Sequence, residues 1–298
     1  MRTFMHGPAA WGVESPRRPS RVAGVTMAGF RVRDLDTLRM VPHPAVTVVL
    51  NFGDGSPVLD GAPGHGRGGS IVAGPGLGAA GAVRVRGENV ACVQVRLSPV
   101  AAGAVLGVSP AELDGAVVPL DDLWGAEASR IRERLGEAAS WQERFALTDE
   151  LLARRDGAGP PVDPEVAWAW HRIAAGRGRA RVDGLAVEVG WSRKRLWSRF
   201  RSQLGLPPKQ AAKLVRFDHA AHRLVAGESP AQVAADAGYV DQSHLHRDVL
   251  AYTGATPATV AGEAFLAVDD LAWPGHAAPR PPALTRAARR GPPGRAGP

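Results

Sequence analysis

A short stretch of the chain concentrates cationic side chains with no acid among them. Residues 192–201 contain five cations, which are Arg193, Lys194, Arg195, Arg199 and Arg201. Like charges packed this densely on one helix repel each other, and the phosphates of a nucleic acid relieve that repulsion. A merely solvated basic face usually carries interspersed acids. The pattern therefore favours contact with a phosphate backbone.

A second stretch, about 49 residues further on, offers mostly neutral hydrogen-bonding groups. Its polar side chains are Gln242, Ser243, His244, His246 and Arg247. Amides, hydroxyls and imidazoles suit the edges of bases, and an arginine makes a bidentate contact with guanine or reaches a phosphate. His244 and His246 are a poor metal pair, because positions two apart on a helix point about 200° away from each other.

The same spacing of small residues precedes both stretches. Ala186 and Gly190 are four apart before the first, and Ala234 and Gly238 are four apart before the second. A small residue lets two helices cross closely, and a glycine four positions later accepts the positive φ of a sharp turn. The duplicated spacing predicts two helix-turn-helix units.

An apolar seam on the first of these helices defines its outer face. Leu196, Phe200 and Leu204 repeat at intervals of four after Ser192, which is placed to cap the helix. At 100° per residue, the side chains opposite this seam are Lys194, Ser198, Arg201, Ser202 and, at the margin, Arg195. We expect this face to meet DNA.

A long helix over 208–226, stopped by Gly227, is predicted to join the two units. Nineteen residues span roughly 28 Å, close to the ~34 Å of one duplex turn. Such a rod would place two recognition helices in successive segments of the major groove.

The charge of the chain is segregated. Its 298 residues carry a net charge of +7, yet residues 1–160 hold 17 Lys/Arg and 17 Asp/Glu. Residues 177–260 hold 13 Lys/Arg against 7 Asp/Glu. This separation is typical of a nucleic-acid-binding domain attached to a neutral one.

The cysteine content and the hydropathy of the sequence exclude several classes of protein. Cys92 is the single cysteine, so the sequence excludes an intramolecular disulfide and a four-cysteine zinc module. No apolar run approaches the length of a membrane span or an export signal. We expect a soluble cytoplasmic protein that associates with the nucleoid and not with a membrane.

The N-terminal half first shows sequence patterns typical of strands and then patterns typical of helices. Residues 46–52, 71–73, 83–85 and 90–97 are rich in β-branched residues, and in the last run Gln94 and Arg96 alternate with apolar neighbours. Helical patterns follow Ser98, Ser109, Ala126 and Ser140. The predicted fold class is α+β, with a β-rich, barrel-like N-terminal domain with flanking helices and an all-α C-terminal domain.

Breaks in composition give the expected organisation. We predict a disordered arm over 1–24, a sensor or dimerisation domain over 25–157, a DNA-binding domain over 162–264 and a disordered tail over 274–298. The glycine-rich segment 61–69 is expected to be a mobile loop.

At this point residues 182–260 resemble the tandem helix-turn-helix domain of AraC/XylS-type transcriptional regulators. The residues that carry the resemblance are Leu-Ala-x-x-x-Gly-Trp-Ser at 185–192, Arg-x-Gln-Leu-Gly-Leu-Pro-Pro at 201–208, Ala-Gly-Tyr-Val-Asp-Gln-Ser-His-Leu at 237–245 and Thr-Gly-Ala-Thr-Pro at 253–257. The resemblance implies DNA contacts at Lys194, Trp197, Ser198, Gln242, Ser243, His244 and Arg247. Val249 and Thr253 are smaller than is usual in the family, which implies a less tightly packed second unit.

Three motifs stand out in the N-terminal half: Val-Leu-Asn-Phe-Gly-Asp at 49–54, Val-Gln-Val-Arg-Leu-Ser-Pro at 93–99 and Val-Val-Pro-Leu-Asp-Asp-Leu-Trp at 117–124. Through them, residues 39–155 resemble the β-rich domain of unknown function found before this DNA-binding domain in many regulators. This resemblance implies a sensor or dimerisation role without naming an effector, and we predict no cofactor, metal or catalytic residue. The expected partners are double-stranded DNA, a small-molecule effector, a second copy of the chain and, for an activator, RNA polymerase.

Two alternatives stay open. An architectural DNA binder without an effector would suit an N-terminal domain that lacks a pocket. A DNA alkyl-repair regulator would need a reactive cysteine, and Cys92 lies in a run expected to be a buried strand.

Overall fold

The computed structural model describes residues 2–6, 9–55, 57–60, 69–77, 83–113 and 115–262, together with Leu266, Val268, Asp269, Ala272 and Trp273. The predicted tail over 274–298 and most of the predicted mobile loop, residues 61–68, lie outside the described residues.

An antiparallel sheet forms the core of the N-terminal domain. Within the described residues its strands are β1 (Arg2–His6), β2 (Ala9–Glu14), β3 (Val25–Met40), β4 (Val46–Asn51), β5 (Val58–Asp60), β6 (Ile71–Ala73), β7 (Val83–Leu97) and β8 (Val117–Pro119). They are ordered β1-β2-β3-β7-β4-β6-β8, and β5 also pairs with β7. The two long strands β3 and β7 pair along their lengths and hold the sheet together.

Both faces of this sheet are covered. On β7, Val93, Val95 and Leu97 face a core that is closed by α1 (Pro99–Leu106), α2 (Leu120–Trp124), α3 (Ala126–Glu137) and α4 (Trp141–Arg155). Gln94 and Arg96 point to the opposite face, as the period of two predicts. They are nevertheless buried there, at 8% and 3% exposure, because the sheet curves around an apolar cavity and the C-terminal domain packs beside it.

Three expectations for this half require correction. Part of the predicted arm is not disordered: β1 and β2 extend the sheet, because Trp11 and Val13 pack beside Phe30 at the register Val13↔Phe30. The runs at 83–85 and 90–97 form one strand. The predicted helix after Ser109 is only a 3-10 turn at Pro110–Leu113, although Glu112 Oε1 accepts a hydrogen bond from Ser109 N at 2.8 Å as the capping pattern predicts.

The C-terminal domain is helical throughout its described part. Its helices are α5 (Pro164–Ala175), α6 (Val182–Glu188), α7 (Arg193–Leu204), α8 (Pro208–Val225), α9 (Pro230–Asp236), α10 (Gln242–Thr253) and α11 (Pro257–Ala261). The long helix predicted over 208–226 agrees with α8 to within one residue. None of the described helices is long and apolar enough to cross a membrane.

Helix α8 belongs to two cores at once. Ala211, Ala212 and Val215 pack with α5, α6 and α7, whereas Leu214 and Phe217 pack with α9, α10 and α11. Its 18 residues span roughly 27 Å. The first and second helix-turn-helix units are therefore attached to one continuous rod.

A buried ionic cluster joins the N-terminal sheet to α8. The Arg96 guanidinium donates to both oxygens of Asp269, and His222 Nε2 on α8 lies 3.0 Å from Asp269 Oδ2. His43 donates through Nδ1 to Asp218 Oδ1 at 2.7 Å and accepts from Arg96 Nη2 at 2.9 Å. Two cations and two carboxylates thus neutralise each other between the domains, as a buried charge requires.

The second contact between the domains is made by backbone and small side chains. Ser109 Oγ donates to Ser202 O at 2.8 Å near the end of α7. Gly205, which closes α7 with φ +81°, lies against Pro110, where an added Cβ would be 3.0 Å from the carbonyl oxygen. The N-terminal domain therefore contacts the C-terminal end of α7.

Two glycines, one in the α5–α6 loop against α8 and one just after the end of α8, offer a matched test of the packing on this helix. Gly178 and Gly227 both have positive φ, but a Cβ on Gly178 would lie 2.2 Å from Ala212 O, whereas a Cβ on Gly227 meets open space. We expect Gly227→Ala to lower the free energy of unfolding by about 1 kcal/mol and Gly178→Ala by about 3 kcal/mol or more, as read from urea denaturation. Equal losses in the two variants would contradict the described contact between the α5–α6 loop and α8.

Candidate nucleic-acid interface

The first helix-turn-helix corner, which is the turn between α6 and α7, forms as the spacing of Ala186 and Gly190 predicts. Ala186 is buried against its neighbours, Gly190 has φ +69°, and Trp191 N donates to Ala186 O at 3.0 Å across the turn. Ser192 then caps α7, with its Oγ accepting from Arg195 N at 3.2 Å. These local bonds fix the direction in which α7 leaves the corner.

The outer face of α7 is open to solvent. Leu196, Phe200 and Leu204 are buried in the core of the first unit. Every residue that was predicted to contact DNA on this helix is exposed, namely Arg193, Lys194, Arg195, Trp197, Ser198 and Arg201. Trp197 is 46% exposed, an unusual state for so large an apolar side chain.

Some of the cations of α7 already have partners within the protein. Arg199 forms a bidentate pair with Asp163 at the start of α5, at 2.7 and 2.9 Å, and this bond is the main cause that lowers the pKa of Asp163. Arg193 lies 3.2 Å from Asp183, but both side chains are largely exposed, so this pair is weak. Arg199 therefore fastens α7 to α5 and is not presented with its neighbours.

Aromatic rings hold two further cations of α7 in place. The Arg195 guanidinium lies 4.3 Å from the ring centre of Trp191, and that of Arg201 lies 5.4 Å from the ring centre of Trp197. Such stacking restricts a guanidinium without neutralising its charge. Both arginines keep their N–H donors available to a phosphate.

The second corner repeats the first in its backbone bonds. Tyr239 N donates to Ala234 O at 3.1 Å, Gly238 has φ +79°, and Asp241 Oδ1 accepts from His244 N at 2.7 Å to cap α10. Asp241 is therefore a capping group. The two corners differ in the side chains that they present and agree in their construction.

Helix α10 presents the predicted polar set on its first turns. Gln242, Ser243 and Arg247 are exposed, and Arg247 lies back along the helix with Nε 3.4 Å from Ser243 O. His244 is half-buried and packs edge-on against Tyr239 at 5.2 Å between ring centres. Three of the four predicted residues are thus freely accessible, and His244 is accessible in part.

Asp248 has a structural role that sequence reasoning missed. It is 5% exposed and lies 3.1 Å from Arg216 Nη2 and 3.3 Å from Lys213 Nζ, both on α8. Arg216 also stacks over Tyr239 at 4.4 Å. This acid is therefore buried and holds α10 against α8. Its position three residues after Leu245 was the available signal.

The second unit is fully packed despite its smaller residues. Val249 and Thr253 are both 0% exposed. The Thr253 hydroxyl donates to Val249 O at 2.7 Å and accepts from Ala255 N at 3.1 Å, so burial of its oxygen is compensated. The expectation of a looser second unit is therefore wrong.

Parts of this chain are similar to known proteins. Residues 185–262 match the family described as "Helix-turn-helix domain". Among solved structures, ToxT from Vibrio cholerae O395 is similar at 11% identity with a TM-score of 0.47, over 82% of this chain and 98% of that one. The C-terminal domain of AraT from Geobacillus stearothermophilus has 18% identity and a TM-score of 0.32, over 34% and 87% of the two chains.

A third similar structure is the AraC-like transcriptional activator CuxR, at 14% identity and a TM-score of 0.29, over 79% of this chain and 90% of that one. No curated protein matches the chain. The family match covers both corners and both recognition helices described above. Residues 185–262 are therefore a helix-turn-helix domain, and the chain joins it to a sheet-rich N-terminal domain.

Proposed function

We propose that this protein is a sequence-specific transcription factor whose DNA affinity responds to a small apolar effector. The observation that carries the first part is the exposure of two different polar arrays, on α7 and α10, two helices that both pack against α8. Two dissimilar recognition helices on one chain read an asymmetric site. A homodimer formed through the N-terminal domain would bind two such sites as repeats.

The two arrays divide the work. Lys194, Arg195 and Arg201 supply charge to the phosphates, while Trp197 and Ser198 reach a sugar, a thymine methyl or a base edge. Gln242, Ser243, His244 and Arg247 supply the hydrogen bonds that distinguish bases. The protein would act in the cytoplasm on chromosomal DNA, and an activator of this kind would also contact RNA polymerase.

The cavity in the N-terminal sheet supports the effector. It is an open, concave site between strands of the sheet, and concave apolar sites of this kind are where proteins bind small molecules. Its lining is almost entirely apolar, with Trp11, Phe30, Leu35, Val85 and Trp273 among the contributors. Such a lining favours a hydrophobic molecule over a sugar or a nucleotide. This cavity also favours an effector-responsive regulator over an architectural DNA binder.

The same cavity shares a wall with the buried ionic cluster. Val268, Asp269 and Trp273 line it, and the Arg96 guanidinium lies 3.7 Å from the ring centre of Trp273. Asp269 also receives His222 of α8. A molecule that displaces Trp273 would disturb Asp269 and therefore the ionic contact between the N-terminal domain and α8. This arrangement supplies a physical route from effector to DNA-binding domain.

The alkyl-repair alternative finds no support at the cysteine. Cys92 is buried, and burial raises the pKa of its thiol to about 12. The thiolate is the nucleophilic form, so a thiol in this setting is unreactive near neutral pH. Among the described residues, no group of three or more His, Cys, Asp and Glu is placed to hold a metal ion.

Lys194→Ala and Arg247→Ala separate phosphate contact from base reading. With a duplex selected from genomic fragments that the wild-type protein retains, Arg247→Ala should cost about 1–3 kcal/mol and relax the preference at one base pair. Lys194→Ala should weaken binding to all DNA sequences alike, and it should reduce the slope of log affinity against log salt by about one, the contribution of one phosphate contact. Equal losses on every sequence in both variants would argue against base reading by Arg247, and a wild-type protein that does not distinguish the selected duplex from random DNA would refute the proposed function.

Filling the cavity should abolish uptake of an apolar probe. We expect the neutral fluorophore 1-aminoanthracene to gain fluorescence with the wild-type protein, and Val85→Trp to lose at least tenfold in affinity because the new ring occupies the cavity. Val187→Trp adds the same kind of ring at a residue that is 79% exposed, and it should bind as the wild type does. If Val85→Trp bound the fluorophore as tightly as the wild type does, the cavity would not be the binding site and the proposed effector site would be wrong.

The pH dependence of stability tests the link through His222. Both of its ring nitrogens face oxygen atoms, Asp218 O at 2.8 Å and Asp269 Oδ2 at 3.0 Å. Burial lowers the pKa of His222, but the hydrogen bond to Asp269 and the charges of Asp218 and Asp269 outweigh it, and the pKa rises to about 9.

A raised pKa in the folded state stabilises the protein below the ordinary histidine pKa of about 6.5 and loses that effect as pH rises through 9. The difference in unfolding free energy between wild type and His222→Gln should therefore be largest below pH 6.5 and should shrink towards pH 9.5. A difference for His222→Gln that does not change with pH would show that folding does not favour the protonated form of this ring.

A further inference from the structure

We propose that the loop between α5 and α6, residues 176–181, is a third DNA contact, which binds the phosphates of the backbone between the two recognition helices. The inference rests on the proposed function and assigns to this loop a role that the corner motifs do not contain. It starts from Arg177, Arg179 and Arg181, three arginines in six residues, in a segment with no acid between Glu165 and Asp183.

The loop has a defined conformation. Arg177 has φ +51° and Gly178 φ +72°, and the turn is closed by hydrogen bonds from Arg177 N to Ala174 O at 3.0 Å and from Gly178 N to Ile173 O at 2.9 Å. Gly178 is wedged against α8, since even a methyl group there would collide with Ala212 O and Arg216 N. The arginines are therefore held on the middle of the rod that separates the two units.

The loop also touches the second unit. The Cγ and Cδ atoms of Arg179 pack over Gly238, each 3.1 Å from where a Cβ would lie. Gly238 is the turn glycine four residues before Gln242, the first residue of α10. The aliphatic part of Arg179 thus lies on the second corner, and its charged end is exposed beside the start of the second recognition helix.

The other end of the loop reaches the first unit. Arg181 directly precedes α6, and Asp183 in the first turn of that helix pairs with Arg193 in the first turn of α7 at 3.2 Å. The first helix of a helix-turn-helix unit crosses the DNA backbone. The arginines therefore bridge the gap between the two surfaces that would enter neighbouring major-groove segments, and the strand that separates those segments must pass this gap.

Two arginines of the loop are not paired with an acid among the described residues. Within the part of the chain that the structure describes, neither Arg179 nor Arg181 has a carboxylate oxygen within 4.0 Å. Arg177 lies near His219 Nε2, at 3.3 Å, and desolvation with the charges of Arg177 and Arg223 lowers the pKa of that histidine. By contrast, Arg199 and Arg223 in the same domain are matched by acids. Unmatched guanidinium groups at this position suit phosphate oxygens.

The salt dependence of DNA binding by the full chain provides the test. Each phosphate contact contributes about 0.9 to the slope of log affinity against log salt, so Arg179→Gln/Arg181→Gln should reduce the slope by about 1.8. Extrapolated from 1 M salt, this corresponds to roughly 60-fold weaker binding at 0.1 M salt. The loss should be equal for the selected duplex and for random DNA, because phosphates carry no sequence.

Matched variants separate charge, fold and remote electrostatics. Arg179→Lys/Arg181→Lys retains both cations and should retain the slope to within about 0.3, which would not happen if the loop mattered only for packing. Arg130→Gln/Arg134→Gln removes two exposed charges from α3 in the N-terminal domain and should leave the slope unchanged. Arg181→Gln alone, at a site remote from Gly238, should remove about half of the effect even if Arg179 variants fold poorly.

The outcomes are distinguishable. A glutamine double variant that keeps its fold by circular dichroism, and whose slope equals that of the Arg130→Gln/Arg134→Gln control, would overturn the third contact and leave the transcription-factor proposal intact. A wild-type protein that binds neither the selected duplex nor random DNA would overturn both. Loss of slope with rescue by lysine would support the third contact.

Discussion

The sharing of α8 between two hydrophobic cores is the constraint on which the remainder of the C-terminal domain depends. One side of this helix, with Ala211 and Val215, completes the core of the first unit, and Phe217 fills the second. Neither recognition helix can rotate about the rod without exposing one of these cores. The separation and relative direction of α7 and α10 are therefore set by packing, and the proposed reading of an asymmetric DNA site depends on that packing.

The cationic side chains around α8 fall into two groups. Some pair with acids and hold helices together, and others are exposed to solvent, where they are available to a ligand. Arg199 and Arg216 look like DNA-binding groups by type, yet they pair with Asp163 and Asp248 and fasten α7 and α10 to their neighbours. Lys194, Arg201 and Arg247 remain on the outer surface. The positive surface is thus smaller than the count of cations suggests, and it lies on the exposed turns of the two recognition helices and on the loop 176–181.

The N-terminal domain is joined to the same rod through groups that also enclose its cavity. Asp269 meets Arg96 from the sheet and His222 from α8, while its neighbours Val268 and Trp273 close the cavity. Removing one partner from such a cluster leaves a buried charge unpaired, which costs several kcal/mol. The connection is consequently strong when complete and sensitive to displacement. A change in the cavity of the sheet has a short path to the helix that orients both DNA-reading surfaces.

Features that depend on local periodicity could be predicted from the sequence. The corners at Gly190 and Gly238, the caps at Ser192 and Asp241 and the length of α8 follow from residues within one or two helical turns, and so does the exposure of Lys194 and Gln242. These elements need only their own pattern of apolar, small and capping residues, because backbone hydrogen bonding in a helix is local. This was enough to identify a tandem helix-turn-helix domain and most of its outward-facing side chains.

Features that depend on contacts between residues far apart in the sequence were decided only by the tertiary structure. The pairing of Arg96 with Asp269 joins residues 173 positions apart, and β2 pairs with β3 because Trp11 and Val13 have Phe30 to pack against. The burial of Asp248 depends on Arg216, and the place of Arg179 depends on the turn at Gly238. Sequence periodicity records which side of an element is apolar but not which other element covers it. The cavity, the ionic cluster and the position of the arginine loop are therefore products of assembly.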